Sequence, residues 1–469
     1  MGRKNKELLE NVVIEKVAAE GKSMAHVNGK VLFVPFSVPG DVVNVQLRSK
    51  RKGFMEGYVT DIIKPSSLRT EPFCSHFGVC GGCKWQMLPY PEQLKSKQNQ
   101  VEDQLSRIGK FNLPNISEIL GSDKTKYYRN KLEYTFSSRR WIENVDDLGI
   151  LSEKEKMGAG FHISGMYDKV LDIDTCYLQR EPSNAIRLFV KEYAIEKGID
   201  FYDIKAHTGF LRNLIVRTST TGEVMVIVVI SCEEPDIYNP LLEALKVRFP
   251  EITSLNWIVN NKKNDSINDL DVYLYSGKPH MNEVMEDLEF RIGPKSFYQT
   301  NSEQAYRLYS IVRDFAGLTG NEVLYDLYTG AGTIALFLSR YCKSVVGIEY
   351  VEEAVVDARQ NALLNGIDNV TFHSGDMKDV LNKDFVEQHG RPDVIVLDPP
   401  RAGIHPDVAE AVSKTAPDKI IYVSCNPATQ ARDIGLMINN YQISSVQPVD
   451  MFPHTHHLEN VVLMDKINK

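Results

Sequence analysis

The clearest pattern of hydrophobic and polar positions lies in the last third of the chain. From Glu322 onward, short apolar runs alternate with helical stretches. "EVLYDLYTG", "SVVGIEY", "NVTFHSGD", "PDVIVLDPP" and "KIIYVSCNP" read as strands. "GTIALFLSR" and "VEEAVVDARQNALLNG" read as helices between them. Short apolar runs bounded by turn residues mark strands buried on both faces, and strand–helix alternation gives right-handed parallel units. "ISSVQPVDMFP" and "ENVVLMDKI" predict a closing hairpin. The pattern therefore predicts a doubly wound α/β sheet.

The first 65 residues have a different texture. "NVVIEKVA", "GKVLFVP", "DVVNVQLRS" and "MEGYVTDII" are short β-rich pieces, punctuated by Gly21, Gly29, Pro39-Gly40 and Gly53. Strands at that spacing predict a small barrel of oligonucleotide-binding type. "PEQLKSKQNQVEDQLSRIGK" puts Leu94, Val101, Leu105 and Ile108 on one face and stops at Gly109, which predicts an amphipathic helix. Residues 120–285 are mixed α/β, with "LIVRTST" and "EVMVIVVIS" as strands. The expected division is a barrel over 1–68, a central domain over 69–89 and 120–285, and a doubly wound domain over 90–119 and 286–469.

Composition changes this picture little. A chain of 469 residues with 43% hydrophobic and 25% charged positions suits a soluble multidomain protein. No apolar run approaches the ~20 residues of a spanning helix. The start has no apolar signal core. The expectation is a cytoplasmic protein without a membrane partner. Charge is more informative. The net value of −8 argues against nucleic acid, but two segments run the other way. Asp41–Thr70 carries Arg48, Lys50, Arg51, Lys52, Lys64 and Arg69, and Gly121–Arg140 carries Lys124, Lys126, Arg129, Lys131, Arg139 and Arg140. Basic patches can track phosphates while the rest of a protein stays acidic. "TKYYRNKLEYTFSSRR", with Tyr127, Tyr128 and Tyr134 interleaved, is a candidate RNA contact. An amphipathic surface strand would read the same way.

Candidate chemistry gathers at the carboxyl ends of the predicted strands, where open α/β sheets bind ligands. "DLYTGAGT" places Asp326 at a strand end and lets the backbone at Gly330 and Gly332 approach a ligand. The third glycine of a dinucleotide fingerprint is missing. Glu349 ends the next strand and suits a ribose diol. This pairing resembles the class I S-adenosylmethionine-dependent methyltransferases. "LDPPR" holds Asp398 at the same edge, with Arg401 where amine-modifying relatives carry an aromatic. One strand further on, "VSCNP" ends in Cys425 and breaks at Pro427. Glu459 starts the antiparallel strand expected beside it. His454, His456 and His457 precede that strand, and irregular spacing makes them loop-shaping rather than metal-binding residues.

A thiol, a carboxylate and a methyl donor together suggest one reaction. Carbon 5 of uracil is a poor nucleophile. Thiolate addition at carbon 6 generates an enolate that is nucleophilic at carbon 5, and a base then removes the remaining proton so that the thiol can leave. "FYQTN", "DLYTGAGT", "LDPPR", "SCNP" and "HTHHLENV" resemble, in order, the motifs of the RNA uracil-5-methyltransferases. The barrel resembles a TRAM domain, and "CSHFGVCGGC" resembles the iron–sulfur site of the same family.

The resemblance implies Cys425 as nucleophile and Glu459 as base. It implies Gln299, Tyr328, Thr333, Glu349, Asp376 and Asp398 as S-adenosylmethionine contacts, and Phe297 as the aromatic that stacks on the target base. Cys74, Cys80 and Cys83, with Cys176 as a distant fourth, suit either a [4Fe-4S] cluster or zinc by spacing alone, with His76 as a substitute zinc ligand. The resemblance implies iron–sulfur in a structural role. Cys232 and Cys342 are expected in the core. The resemblance is closest to the 23S ribosomal RNA enzymes and implies RNA as the partner, and a monomer is expected. The same chemistry on tRNA, and an amine methyltransferase that uses "LDPPR" and leaves Cys425 idle, are the alternatives.

Overall fold

The computed structural model describes residues 7–144, 146 and 149–467. Residues 1–6, read above for a targeting signal, lie outside them. The amino-terminal part is a six-stranded sheet curled round its own core of Val12, Ile14, Leu32, Val34, Val43, Val45 and Met55. Alternating exposure along Val42–Lys50 fits a strand with one face on that core. Strand Lys22–Val27 was not legible in the sequence, because Lys22, Ser23 and His26 dilute its apolar period.

The central part is a seven-stranded sheet with strands Leu211–Thr218 and Val224–Ile230 in its middle. Every residue of both is buried. Helices Ser183–Lys197 and Pro235–Arg248 cover one face. The opposite face belongs to a second apolar cluster. Ile215, Ile227 and Val229 join Phe290, Leu308, Val396, Ile421 and Val461, so the central sheet and the carboxyl-terminal domain share one core.

The carboxyl-terminal sheet has seven strands. In chain order they are Val323–Leu327, Ser344–Glu349, Val370–Ser374, Val394–Leu397, Lys419–Ser424, Tyr441–Val449 and Glu459–Lys466. Their spatial order is third, second, first, fourth, fifth, seventh, sixth. The first five run parallel and the last two form the predicted antiparallel hairpin. No helix among the described residues is long and apolar enough to cross a membrane.

Four readings of the sequence need correction. Tyr128 and Tyr134 are core residues, at 7% and 0% exposure, so they offer no stacking face to RNA. Arg139 and Arg140 are turned toward Asp168, Asp203 and Asp172. Cys232 is exposed beside Glu234, although Cys342 is buried as expected. The helix Tyr90–Gln104 runs on through Leu105–Gly109, but Ile108 is half-exposed. Its buried face is Gln93, Lys97, Val101 and Leu105, half of it polar.

Candidate active site

The first strand ends in a turn that the sequence shows only through its glycines. Gly330 and Gly332 adopt φ of +56° and +80°, and a Cβ on Gly332 would stand 2.9 Å from the Phe372 ring. Tyr328 adopts +67° as well, a strained conformation for a bulky residue. Asp326 does not reach out toward a ligand. It is wholly buried and closes the loop by accepting from Thr329 Oγ1 at 2.5 Å and Ala335 N at 3.0 Å. Burial, with Asp398 and Glu349 nearby, pushes its carboxyl up to about 7. Glu349 bridges the loop and the second strand, accepting from Gly330 N at 3.0 Å and Val351 N at 2.9 Å.

These strand ends open into a cavity of about 1070 Å³. Its wall contains Phe297, Gln299, Tyr328, Thr333, Glu349, Asp398, Cys425 and Glu459. Residues from five strand ends, the helix Thr333–Ser339 and the loop before helix Ser302–Ala316 thus meet in one place. Asp376 is the exception. It caps the short helix Met377–Val380, accepts from Lys378 N at 3.2 Å, pairs with the Lys378 ammonium, and is not part of the cavity wall.

The break after Cys425 has a local cause. Asn426 is the N-cap of helix Pro427–Met437, its side chain accepting from Ala428 N, with Pro427 in the first turn. The fifth strand therefore stops at the rim and leaves the thiol there, half-buried. The seventh strand pairs with it so that Ser424 stands opposite Asn460, which brings Glu459 level with Cys425. Burial pushes the Cys425 thiol up to about 11. The Glu459 and Asp398 carboxyls add to the shift, and the Arg401 guanidinium opposes it. Burial also holds the Glu459 carboxyl well above the usual range, helped by Asp398 and opposed by Arg401. Asp398 itself is raised by burial to about 7. Arg401 donates to His457 Nδ1 at 3.0 Å, and burial keeps that imidazole neutral, with its value down at about 3. Phe297 is 67% exposed at the cavity mouth. The buried Arg217 holds the loop before it through the carbonyls of Gly293 and Ser296, and Asn130 holds Gln299 O at 2.9 Å.

A second cavity, of about 610 Å³, lies alongside and is bordered by Cys74, Cys80, Cys83 and Cys176. All four are free thiols. Gly81 N bonds to His162 O, and a Cβ at Gly81 would stand 2.5 Å from that oxygen, so glycine is needed for the bend between the cysteines. Burial raises all four thiols, Cys83 to about 11 and Cys176 to about 12, and their mutual repulsion adds to the rise at Cys80, Cys83 and Cys176. His76 spends its Nε2 on Asp174 N at 2.9 Å. Among the described residues no three His, Cys, Asp or Glu side chains are grouped to hold a single metal ion. Thr300 and His457 border both cavities.

Residues 279–467 match the family model for tRNA (Uracil-5-)-methyltransferase, and residues 11–68 match the TRAM domain of tRNA (uracil(54)-C(5))-methyltransferase. An RNA methyltransferase of Bacteroides thetaiotaomicron is 56% identical over 96% of this chain and all of its own length. One from Porphyromonas gingivalis is 53% identical over 96% of this chain and 98% of its own. The chain belongs to the S-adenosylmethionine-dependent uracil-5 RNA methyltransferase family. The crystal structure of Pyrococcus abyssi tRNA (uracil-54, C5)-methyltransferase in complex with S-adenosyl-L-homocysteine matches with a TM-score of 0.74 and 29% identity, over 97% of this chain and 100% of that one. Two features of this methyltransferase escaped the sequence reading. The Arg401–His457 contact joins residues 56 apart in sequence, a separation that no local pattern encodes. Lys97 and Asp450 form a wholly buried ion pair at 2.6 Å between the helix and the loop before Glu459.

Proposed function

We propose that this methyltransferase modifies carbon 5 of a uridine in 23S ribosomal RNA through a covalent adduct. The observation that carries the reading is the strand register that sets Cys425 level with Glu459 on one cavity wall. In the proposed sequence, the Cys425 thiol gives its proton to water, the resulting thiolate adds to carbon 6 of the uracil, and the electrons of the double bond pass to carbon 5. Carbon 5 takes the methyl group from the sulfonium donor, which leaves as the neutral thioether. Glu459 removes the proton on carbon 5, the double bond re-forms, and the thiolate departs. Arg401 is the cation that favours the thiolate, since it alone opposes the rise at Cys425 among the groups around it. Phe297, exposed at the mouth, stacks on a base taken out of its helix. Gln299, Tyr328, Thr333, Glu349 and Asp398 bind the methyl donor. Asp376 is left out of this set, because its carboxylate is engaged as a helix cap away from the cavity wall.

In this reading a barrel over 1–68 and the central part grip RNA, and the carboxyl-terminal part performs the transfer. Arg48 and Lys52 are exposed on the barrel, whereas Arg69 is consumed by the buried Asp41. Ribosomal RNA is the target that the motif resemblance implies. A tRNA target is the second reading, favoured by the full-length likeness to the Pyrococcus enzyme. Mapping 5-methyluridine in ribosomal RNA and tRNA from cells lacking this protein decides between them. Loss from tRNA alone removes the ribosomal reading, and loss from neither removes both.

Two further outcomes are expected. Glu349→Ala removes a charge-assisted contact from the donor site and should weaken S-adenosylmethionine binding by about 10-fold or more, measured by calorimetry. The cysteine site fits a [4Fe-4S] cluster. Four thiols, Cys176 buried and the other three partly so, border one cavity, and thiols that burial keeps protonated ionise beside a cationic centre. Cys74, Cys80, Cys83 and Cys176 would hold it, and its part is to tie the segment Cys74–Cys83 to the central sheet. Anaerobically purified protein should carry about four irons per chain, and Cys176→Ser should lose them. One zinc per chain instead would overturn the assignment.

A further inference from the structure

Five consecutive backbone carbonyls, from Asp450 to His454, are each held by a donor from outside the segment. Gln304 Nε2 donates to Asp450 O at 2.8 Å and Asn301 Nδ2 to Met451 O at 2.9 Å. Lys97 Nζ donates to Phe452 O at 3.2 Å, and the Tyr128 hydroxyl to Pro453 O at 2.9 Å. The amides of Lys84 and Trp85 both donate to His454 O, at 2.8 and 3.1 Å. A loop without regular structure is thereby fixed at every residue. Thr455 to Leu458 connect it to Glu459, the first residue of the seventh strand. Asn301 and Gln304 belong to the helix that follows Phe297 and Gln299, so the segment also spans from the base-stacking loop to the carboxylate.

Three side chains of helix Tyr90–Gln104 set its position. Lys97 meets Asp450 at 2.6 Å with both side chains wholly buried, and the Tyr90 hydroxyl donates to the other carboxylate oxygen at 2.8 Å. Gln93 grips His454 twice, accepting from its amide at 2.9 Å while its Nε2 stands 3.2 Å from Nδ1. His454 is held there at a φ of +64°, a conformation that a non-glycine residue keeps only when its surroundings impose it. Apolar residues would pack this helix face with less desolvation, as the sequence pattern led one to expect. A buried ion pair is weak support for stability, since replacing both charges by apolar groups is often neutral or stabilising. Its use here is to fix a geometry.

We infer that Gln93 and Lys97 are positioning residues for the second half of the reaction, holding the Glu459 carboxylate in place through the Asp450–His454 segment. The inference rests on the reading of Glu459 as the base. Attack by Cys425 and methyl transfer do not require that carboxylate as a base. Removal of the proton does.

The test separates the two halves. RNA carrying 5-fluorouridine is captured after attack and methyl transfer, because fluorine cannot leave as a proton does. Turnover on ordinary RNA needs the elimination as well. In Gln93→Leu, and in the double variant Lys97→Met with Asp450→Asn, which leaves no unpaired buried charge, capture should stay within about threefold of the parent. Turnover should fall by about 100-fold, the scale of an ångström-sized misplacement, and a covalent complex with ordinary RNA should accumulate on denaturing gels. Capture and turnover falling in proportion, both staying unchanged, or both variants failing to fold would each overturn the inference. Glu459→Gln serves as the reference. If it accumulates no complex, the base assignment is wrong. If it does and the strut variants do not, the positioning role is wrong.

Discussion

Cys425→Ala should abolish methyl transfer and covalent capture together, with activity on RNA reduced by at least about 10⁴-fold, as removal of a nucleophile does elsewhere. Binding of S-adenosylmethionine should stay within about twofold, a factor worth less than ~0.5 kcal/mol, because Glu349, Tyr328 and the glycine loop lie on other strand ends. That split matters. An amine methyltransferase would use Asp398 and lose nothing with the thiol. The free enzyme carries an independent sign. Burial and neighbouring carboxyls hold the thiol at about 11, so it is protonated at neutral pH. Its alkylation by iodoacetamide should rise about tenfold per pH unit through the range below that value. Arg401→Ala should slow alkylation throughout that range, since the guanidinium is the group that opposes the shift. Full activity in Cys425→Ala, or a flat alkylation profile, would remove the covalent route.

Some of this architecture was legible because it is local. Ser344–Glu349, Val394–Leu397 and Lys419–Ser424 are largely apolar runs, and their alternation with helices marks a parallel sheet. Cys425 was found because Asn426-Pro427 is at once a helix start and a strand end. What failed was long-range. Gln93 and Lys97 sit on a helix face that amphipathic periodicity assigns to apolar residues, and only Asp450 and His454, more than 350 positions away, explain them. Tyr128 and Tyr134 look like RNA platforms in a basic stretch, but Tyr134 lies within the interior strand Lys131–Ser137 and Tyr128 just before it, and basic neighbours such as Arg139 are balanced by acids distant in sequence. The weak apolar period of Lys22–Val27 hid one barrel strand. A motif reports what the backbone must do locally, and it is silent on which distant side chain will meet it.

Glu459→Gln should produce the opposite phenotype to Cys425→Ala: a methyltransferase that begins its reaction and cannot finish it. Glutamine keeps the shape and accepts hydrogen bonds, but it takes no proton. Addition of the thiolate and transfer of the methyl group remain available. The product of those steps carries a methyl group and a hydrogen on carbon 5 and sulfur on carbon 6. It cannot release the enzyme until that hydrogen leaves. A single methylation per chain should therefore appear as a burst, followed by turnover slowed by about 10² to 10⁴, the range for loss of a general base. Most of the protein should then run with the RNA on a denaturing gel, and the complex should disappear when Cys425 is also replaced. Acidity gives a second check on the same residue. The folded carboxyl is held well above its unfolded value by burial, so Glu459 favours the folded state fully below that unfolded value and loses this contribution as pH rises through the folded one. Glu459→Gln should accordingly unfold at a temperature closer to the parent's at pH 5 and above it at pH 8. Release of the adduct in the parent should quicken as pH rises and the carboxylate forms. The residual release in the glutamine variant should lack that rise, and a variant that turns over at the parent's rate with no trapped RNA would show that the proton leaves by another path.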